Sequence, residues 1–384
     1  MRPFLSSVVS RPAARVFALD HEVVQVDWTA QPTDVAVRVD GTEITTAPAG
    51  EPGATTVALT TTAPVHVEVR AGTTRLLDET ATPLTAPPGR ELCRFATISD
   101  LHFGAPGFDH NDRMRELPEP AEPHWMRCTD AALREIEAWG AERIVVKGDL
   151  THAGRRDAWD LVAKVLATTH LPLHAIPGNH DTHPRVGRVD PYRAIDPDLL
   201  PITPWVEGVD VPGLRILLCN TTIPHRGRGR LGHLLPALTD LAADARRDGR
   251  AVLLVGHHHV NPLPFPVFWP IGVAKADGEA TLAAVRRANP AVAYICGHTH
   301  RHRRRTVSGV PHVEVGSPKD YPGVWAGYVV HEGGLLQTVR RIERPDCLRW
   351  TEHTGAAAHG SWAHWSPGRR QDRCVALTWD GEPA

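Results

Sequence analysis

Residues 144 to 149 are Ile-Val-Val-Lys-Gly-Asp, and this stretch decides the fold. An apolar, β-branched run that ends in glycine and a carboxylate predicts a buried strand with a polar side chain at its carboxyl end. Similar runs occur at four other places in the chain, and each leads into Asp, Asn or His. Together they present seven candidate metal ligands, which are Asp100, His102, Asp149, Asn179, His257, His298 and His300.

This set of side chains suits a pair of divalent cations. It supplies three oxygen donors and four imidazoles, and two neighbouring cations need about seven or eight such donors with one anionic bridge. Asp149 is the expected bridge, because a single carboxylate can lend one oxygen to each cation. Since every donor follows a predicted strand, we expect all of them to converge at one edge of one sheet.

Composition limits the classes of partner. The 384 residues include 42 Lys and Arg against 44 Asp and Glu, a formal net charge of −2, so no positive field favours general nucleic-acid binding. Six cysteines without paired spacing indicate buried free thiols in a reducing compartment. We find no secretory cleavage signal and no apolar run long enough to span a membrane, and we predict a cytoplasmic protein.

The chain is predicted to have three parts. Residues 1–88 alternate polar and apolar side chains between turn signals, which indicates a small N-terminal all-β, sandwich-like domain. Residues 89–346 alternate strands with helices and then become strand-rich, which indicates an α/β domain of two packed sheets flanked by helices. Residues 347–384 are a Trp- and His-rich extension that either packs on the body or forms a flap at the site. The N-terminal domain either forms a homodimer or shapes the pocket.

Five motifs make the chain resemble the calcineurin-like metallophosphoesterases. They are Asp-x-His, Gly-Asp, Gly-Asn-His-Asp, Gly-His and Gly-His-x-His, in the family's order within residues 94–318. The chain is most similar to the bacterial cyclic-nucleotide and glycerophosphodiester phosphodiesterase group. The resemblance implies a four-layer α/β/β/α sandwich and hydrolysis of a small phosphodiester by attack of a metal-bridging hydroxide.

The resemblance also implies which residues bind each metal. The first metal is assigned Asp100, His102, Asp149 and His300, and the second Asp149, Asn179, His257 and His298. In the run His257-His258-His259 we choose His257, with His258 as the alternative. No Tyr lies beside Asp149, which disfavours the Fe(III) subgroup, so Mn, Fe(II) or Zn is expected.

Two further residues are implied in catalysis. By resemblance His180 donates a proton to the leaving oxygen, and Asp181 holds the imidazole of His180 in orientation. An imidazole is suited to this role because it changes charge near neutral pH.

The substrate and two other functions stay open. The insertion at residues 103–125 is expected to shape the pocket, where Trp125 either stacks on a nucleobase or packs in the protein. Arg301 either binds phosphate or belongs to a solvated basic run. A DNA-repair-type nuclease would need a basic surface, and a non-catalytic binding module on this fold would lack some of the ligands or His180.

Overall fold

The structure, a computed structural model, describes residues 11–109, 112–182, 187–265 and 270–379. The N-terminal part contains only strands, which are β1 (Ala14–Leu19), β2 (Val23–Trp28), β3 (Val35–Val39), β4 (Thr42–Ala47), β5 (Gly53–Ala58), β6 (Val65–Ala71) and β7 (Thr74–Ala81). They form two antiparallel sheets, β1-β2-β5 and β4-β3-β6-β7. Alternate residues of β6, namely Val65, Val67 and Val69, are buried in the core of this part, as a period of two predicts. The predicted all-β region is confirmed.

From residue 91 onward strands and helices are mixed. The strands are β8 (Glu91–Ile98), β9 (Ile144–Lys147), β10 (Leu173–Ile176), β11 (Val206–Val211), β12 (Leu214–Cys219), β13 (Ala251–Gly256), β14 (Val292–Cys296), β15 (Arg303–Val307), β16 (Val310–Glu314), β17 (Val324–His331), β18 (Gly334–Arg341) and β19 (Cys374–Thr378). The helices are α1 (His124–Ala138), α2 (Arg156–Leu166), α3 (Asn179–Thr182), α4 (Leu235–Arg247), α5 (Lys275–Ala288), α6 (Pro345–Gly355), α7 (Ser361–Trp365) and α8 (Arg370–Arg373). Short 3-10 helices lie at Pro191–Arg193, Gly232–Leu234 and Ala358–Gly360.

Two six-stranded sheets form the body. The first has the order β10-β9-β8-β17-β18-β19, and the second has the order β11-β12-β13-β14-β16-β15. Strands β8, β9 and β10 are parallel to one another, and so are β12, β13, β14 and β16. Parallel strands present their carboxyl ends at the same edge of a sheet, so the turns after them are brought together there.

Three apolar layers hold the body together. Phe95 and Leu253 belong to the layer between the two sheets. Trp159 of α2 packs in the layer that covers the first sheet, and Leu238 of α4 and Leu282 of α5 pack in the layer that covers the second. Burial of both sheet faces explains why the first three residues of β9, and all of β13, are continuous apolar runs. This arrangement is the predicted four-layer α/β/β/α sandwich.

The C-terminal extension is integrated into the body. Cys347 and Trp350 of α6 are buried with residues of α1, and β19 pairs with β18 at the edge of the first sheet. All six cysteines are buried and free, as predicted. Among the helices of the described ranges, none has the length and apolar character needed to cross a membrane.

Candidate metal centre

The turns that carry the candidate ligands meet at one edge of the body. The first sheet contributes, after β8, β9 and β10, the side chains Asp100, His102, Asp149 and Asn179. The second sheet contributes, after β13 and β14, the side chains His257, His298 and His300. The expectation that one sheet would supply all of them is wrong. Both sheets of the sandwich end at this edge, and the order of strands along the chain does not tell which sheet each strand joins.

Asp100, His102 and His300 form the first cluster of donor atoms. The Nε2 atoms of His102 and His300 are 3.2 Å apart, and His300 Nε2 lies 3.4 Å from Asp100 Oδ1. Asp149 Oδ2 lies 3.6 Å from His102 Nε2. Two ligands that each bind one cation at about 2.1 Å lie roughly 3.0 to 3.4 Å apart. The chemistry and spacing of these four donors therefore fit one metal ion.

Asp149, Asn179, His257 and His298 form the second cluster. His257 Nε2 is 3.2 Å from Asn179 Oδ1 and 3.3 Å from Asp149 Oδ2. The ring of His298 is centred 5.0 Å from that of His257. His298 Nε2 lies 3.2 Å from the carbonyl oxygen of Ile271, which leaves Nδ1 for a ligand. Asp149 Oδ2 lies close to donors of both clusters, whereas Oδ1 accepts from the backbone N–H of His180, so a single oxygen of this carboxylate is shared between the clusters.

The two candidates in the histidine run differ in their contacts. His257 Nδ1 lies 2.8 Å from the carbonyl oxygen of Lys147, which directs Nε2 toward Asp149. His258 Nδ1 lies 2.8 Å from the hydroxyl of Thr221, and its buried Nε2 has no hydrogen-bond partner in the described part of the chain. The geometry favours His257 because its free nitrogen already lies beside two other donors.

Five of the candidate ligands adopt a left-handed backbone. The φ angles are 58° at Asp100, 48° at His102, 50° at Asp149, 68° at His298 and 51° at His300. Residues other than glycine rarely adopt this conformation, which costs about 1–3 kcal/mol at each position. Strain of this kind concentrates at functional sites, where the surrounding fold holds it in place.

Two glycines permit the close approach of the turns. A Cβ atom on Gly178 would lie 2.1 Å from Asp149 Oδ1, and one on Gly297 would lie 2.5 Å from Asp100 Oδ2. Any side chain would therefore displace a carboxylate. This explains why glycine precedes both Asn179 and His298.

The carboxylates of the site stabilise positive charge. Burial raises the pKa of Asp149, but His257 and His180 outweigh burial and hold this pKa well below its usual range. Burial lowers the pKa of His257, yet Asp149 raises it to about 9. Burial also opposes protonation of His300, while Asp320 raises its pKa. The same carboxylates would favour bound cations.

His180 lies beside the first cluster. Its ring is centred 4.5 Å from that of His102, and its backbone N–H donates to Asp149 Oδ1 at 2.8 Å. His180 Nδ1 is 2.8 Å from the carbonyl oxygen of His152. A carbonyl only accepts, so Nδ1 carries the hydrogen and Nε2 is left for the cavity that His180 lines.

The predicted role of Asp181 is wrong. Its carboxylate accepts hydrogen bonds from the backbone N–H groups of Leu150, Thr151 and Gly178, at 3.2, 2.8 and 2.9 Å. The carboxylate therefore ties the Gly-Asp turn to the Gly-Asn-His-Asp turn, and the backbone of His152 orients His180 instead.

Sequence reasoning missed two neighbours of His300. Asp320 Oδ2 lies 2.7 Å from His300 Nδ1, the arrangement that fixes a metal-binding imidazole. Lys319 lines the cavity although it is only 3% exposed, and its Nζ lies 3.5 Å from Asp320 Oδ2. The Ser-Pro-Lys-Asp segment has no local pattern that would have indicated these roles.

The structure also bears on the alternatives left open for Trp125, which were stacking on a nucleobase or packing, and for Arg301, which were phosphate binding or a solvated run. Trp125 is 6% exposed in α1, and its Nε1 donates to the carbonyl oxygen of Ala105 at 3.1 Å, so it packs in the protein and stacks on no nucleobase. Arg301 is 5% exposed and its Nε donates to Glu314 at 3.1 Å, so it is no part of a solvated run.

A cavity of about 900 Å³ opens above the two clusters. Its floor includes His102, Asp149 and His180. Phe108 of the predicted insertion and Trp362 of the C-terminal extension form part of its wall. A cavity of this size suits a small ligand.

Known proteins resemble this chain to different extents. Glycerophosphodiester phosphodiesterase GpdQ of Enterobacter lignolyticus is 28% identical over 177 residues, which cover 44% of this chain and 62% of that protein. A protein of Rhodopseudomonas palustris named "probable cyclic nucleotide phosphodiesterase" is 30% identical over 230 residues, which cover 58% of this chain and 77% of that protein. Among solved structures, GAP50, the anchor in the inner membrane complex of Plasmodium, has a TM-score of 0.41 at 12% identity, over 67% of this chain and 86% of that one.

The model of the calcineurin-like phosphoesterase family matches residues 93–302, which is more than half of the chain. The matched range contains all seven candidate ligands and His180. The chain therefore belongs to the calcineurin-like phosphoesterase family.

Proposed function

We propose that this chain is a phosphodiesterase that uses two divalent metal ions. The first ion is held by Asp100, His102, Asp149 and His300, and the second by Asp149, Asn179, His257 and His298. The observation that carries the proposal is the separation of 3.2 to 3.6 Å between donors of both clusters around the shared Asp149. Mixed imidazole, carboxylate and amide donors suit Mn, Fe or Zn.

Such a pair of ions, when bound, lowers the pKa of a water molecule and stabilises negative charge on phosphoryl oxygens. The protein contributes the orientation of the donors. Asp320 holds the ring of His300, and the carbonyl oxygen of Lys147 holds that of His257. These outer contacts keep both Nε2 atoms available for ligation.

His180 is the proposed proton donor to the leaving oxygen. Its Nδ1 is bound to the carbonyl oxygen of His152, so Nε2 is the nitrogen that exchanges the proton. General acid catalysis of this kind contributes about 10²- to 10⁴-fold in rate. Asp181 acts indirectly, by holding the turn that contains His180.

The proposed substrate is a small phosphodiester, either a cyclic nucleotide or a glycerophosphodiester. Both curated relatives are named as phosphodiesterases, which supports a diester. The cavity of about 900 Å³ and the net charge of −2 favour a small molecule over nucleic acid.

We also propose the domain limits 1–88, 89–346 and 347–384 and a cytoplasmic location. The N-terminal strands end at Ala81 and β8 begins at Glu91, which supports the first limit. The second limit falls inside α6, which begins at Pro345, and the residues after it pack on the body. Six buried free thiols support a reducing compartment.

The activity is tested by removing bound metal and adding Mn²⁺, Fe²⁺ or Zn²⁺. The substrates are cyclic AMP, glycerophosphocholine, a phosphomonoester and single-stranded DNA. We expect metal-dependent hydrolysis, fastest with a small diester. Failure to hydrolyse any diester with all three metals would refute the proposal.

The role of His180 is tested with two leaving groups. We expect His180→Ala to lower turnover at least about a hundredfold for an alkyl diester, and far less for a p-nitrophenyl diester, whose leaving group needs no proton. Metal content should be unchanged. His170→Ala, an exposed histidine between α2 and β10, is the matched control. Equal losses with both leaving groups would show that His180 is not the proton donor.

A further inference from the structure

Part of the cavity lining is apolar, and the proposed chemistry does not use it. We call it the apolar wall, and its residues are Phe108, Ile271, Ala357, Trp362 and Trp365. Ile271 is 37% exposed and Trp365 is 48% exposed, although both side chains are large and apolar. Apolar side chains that face a cavity instead of a core are typical of a surface that binds a ligand.

The apolar wall begins at the metal centre. The ring of Phe108 is centred 6.4 Å from the ring of His300 and 5.7 Å from the ring of Trp362. Lys319 Nζ lies 5.2 Å from the centre of the Phe108 ring. A phosphoryl group bound beside His300 would therefore lie near the ammonium group of Lys319, and its ester substituent would lie against Phe108 and Trp362.

The C-terminal extension supplies three of the five wall residues and is bonded to the ligand-bearing turn. The carbonyl oxygen of Ser366 accepts from the backbone N–H of His302 at 2.8 Å, two residues after His300. Trp350 Nε1 donates to the carbonyl oxygen of Lys319 at 2.6 Å. The wall is therefore preformed, which lowers the entropy cost of binding against it.

We propose that the apolar wall binds a large apolar ester group of the phosphodiester, and that Trp362 selects for this group. The inference rests on the proposed phosphodiesterase function, and it departs from the two substrates named there by favouring a diester with a large apolar ester group. A glycerol group would leave the wall in contact with water, whereas an aryl or long alkyl group would cover it. The residues that make this selection lie mostly outside the range shared with the family, 93–302.

The test compares diesters that share one leaving group. Phenyl, octyl and methyl p-nitrophenyl phosphates all release p-nitrophenolate, and their intrinsic reactivities cancel when variants are compared. We expect Trp362→Ala to lower the phenyl-to-methyl or octyl-to-methyl ratio of kcat/KM by about tenfold. Trp362→Phe should keep most of the selectivity. Trp205→Ala is the matched control, because Trp205 is 49% exposed and does not line the cavity.

Binding gives a readout that does not depend on turnover. Calorimetry with the metal-loaded protein should show that phenylphosphonate or octylphosphonate binds more tightly than methylphosphonate, and that Trp362→Ala removes this difference. If Trp362→Ala loses more selectivity and affinity for the phenyl compounds, the wall fits an aryl group; if it loses more for the octyl compounds, the wall fits an alkyl group. Either result supports the inference. Unchanged ratios and affinities in a folded Trp362→Ala protein would overturn it while the phosphodiesterase function stands. If no diester is hydrolysed, the proposed function fails and the phosphonate affinities still decide the inference.

Discussion

Replacing Asp27 by asparagine tests how the N-terminal sheets are attached to the α/β body. Asp27 is 2% exposed, and its Oδ2 accepts from Arg15 and from Arg341, at 2.8 Å in each case. Arg341 lies in β18 and is fully buried, and it also pairs with Glu352 of α6. One carboxylate therefore links β1, β2 and β18 through charges that water does not screen.

The pKa of Asp27 provides the magnitude. Burial raises this pKa, but Arg15 and Arg341 outweigh burial and lower it from 3.8 to about 2. At 1.36 kcal/mol per pKa unit, the ionised carboxylate contributes about 2 kcal/mol to the free energy of unfolding. Because the folded pKa is the lower one, this contribution is complete well above pH 4 and is lost as the pH falls toward 2. The Asp27→Asn substitution would also leave buried guanidinium groups without their anion, so we expect a total loss of about 3–5 kcal/mol at pH 7.

Urea unfolding followed by tryptophan fluorescence measures this loss between pH 7 and pH 3. The difference between wild type and Asp27→Asn should shrink by about 1 kcal/mol by pH 3. Asp240→Asn, which replaces an exposed carboxylate on α4, is the control and should change stability by less than about 0.5 kcal/mol. A variant as stable as the wild type at pH 7, or a difference that does not vary with pH, would refute the reasoning.

Three further predictions concern the metal centre. Asp320→Asn should weaken metal binding about 10- to 100-fold, because the imidazole of His300 loses its orienting carboxylate; unchanged affinity in a metal titration would contradict this. Asp149→Asn should lose bound metal, since a neutral amide cannot bridge two cations, and full metal occupancy by elemental analysis would count against the bridge. Lys319→Met should raise the Kd for inorganic phosphate, measured by calorimetry at saturating metal, about tenfold, because a charge-assisted contact is lost. An unchanged Kd would show that Lys319 only neutralises Asp320.

Local pattern was sufficient to predict the layers of the fold and the candidate ligands. Strands buried on both faces must be continuous apolar runs, and a polar residue directly after such a run can only lie at the end of the strand. This explains why residues such as Asp149 could be selected from local pattern alone, whereas the choice of His257 within its run of three histidines needed the family resemblance. The helix and strand periods are equally local, so the α/β body and the all-β N-terminal part were also predictable.

Pairing between distant parts of the chain was not predictable in this way. Local pattern placed all the ligands on one sheet, whereas two sheets supply them. The family resemblance assigned Asp181 to His180, whereas Asp181 binds backbone N–H groups. Hydrogen-bond partners depend on where backbone groups lie after packing. A short side chain such as Asp181 can reach several of them, and sequence spacing does not choose among them.

By itself the sequence determined the strand and helix periods, the family motifs and the types of donor atom, because these depend on residues close together in the chain. Only the tertiary structure decided that Asp320 holds His300, that Asp27 joins the N-terminal sheets to the α/β body, and that Trp362 faces the cavity. Each of these contacts joins segments that are separate in sequence. Such contacts form only when whole layers pack, and the free energy that selects them comes from the burial of those layers and not from any local pattern.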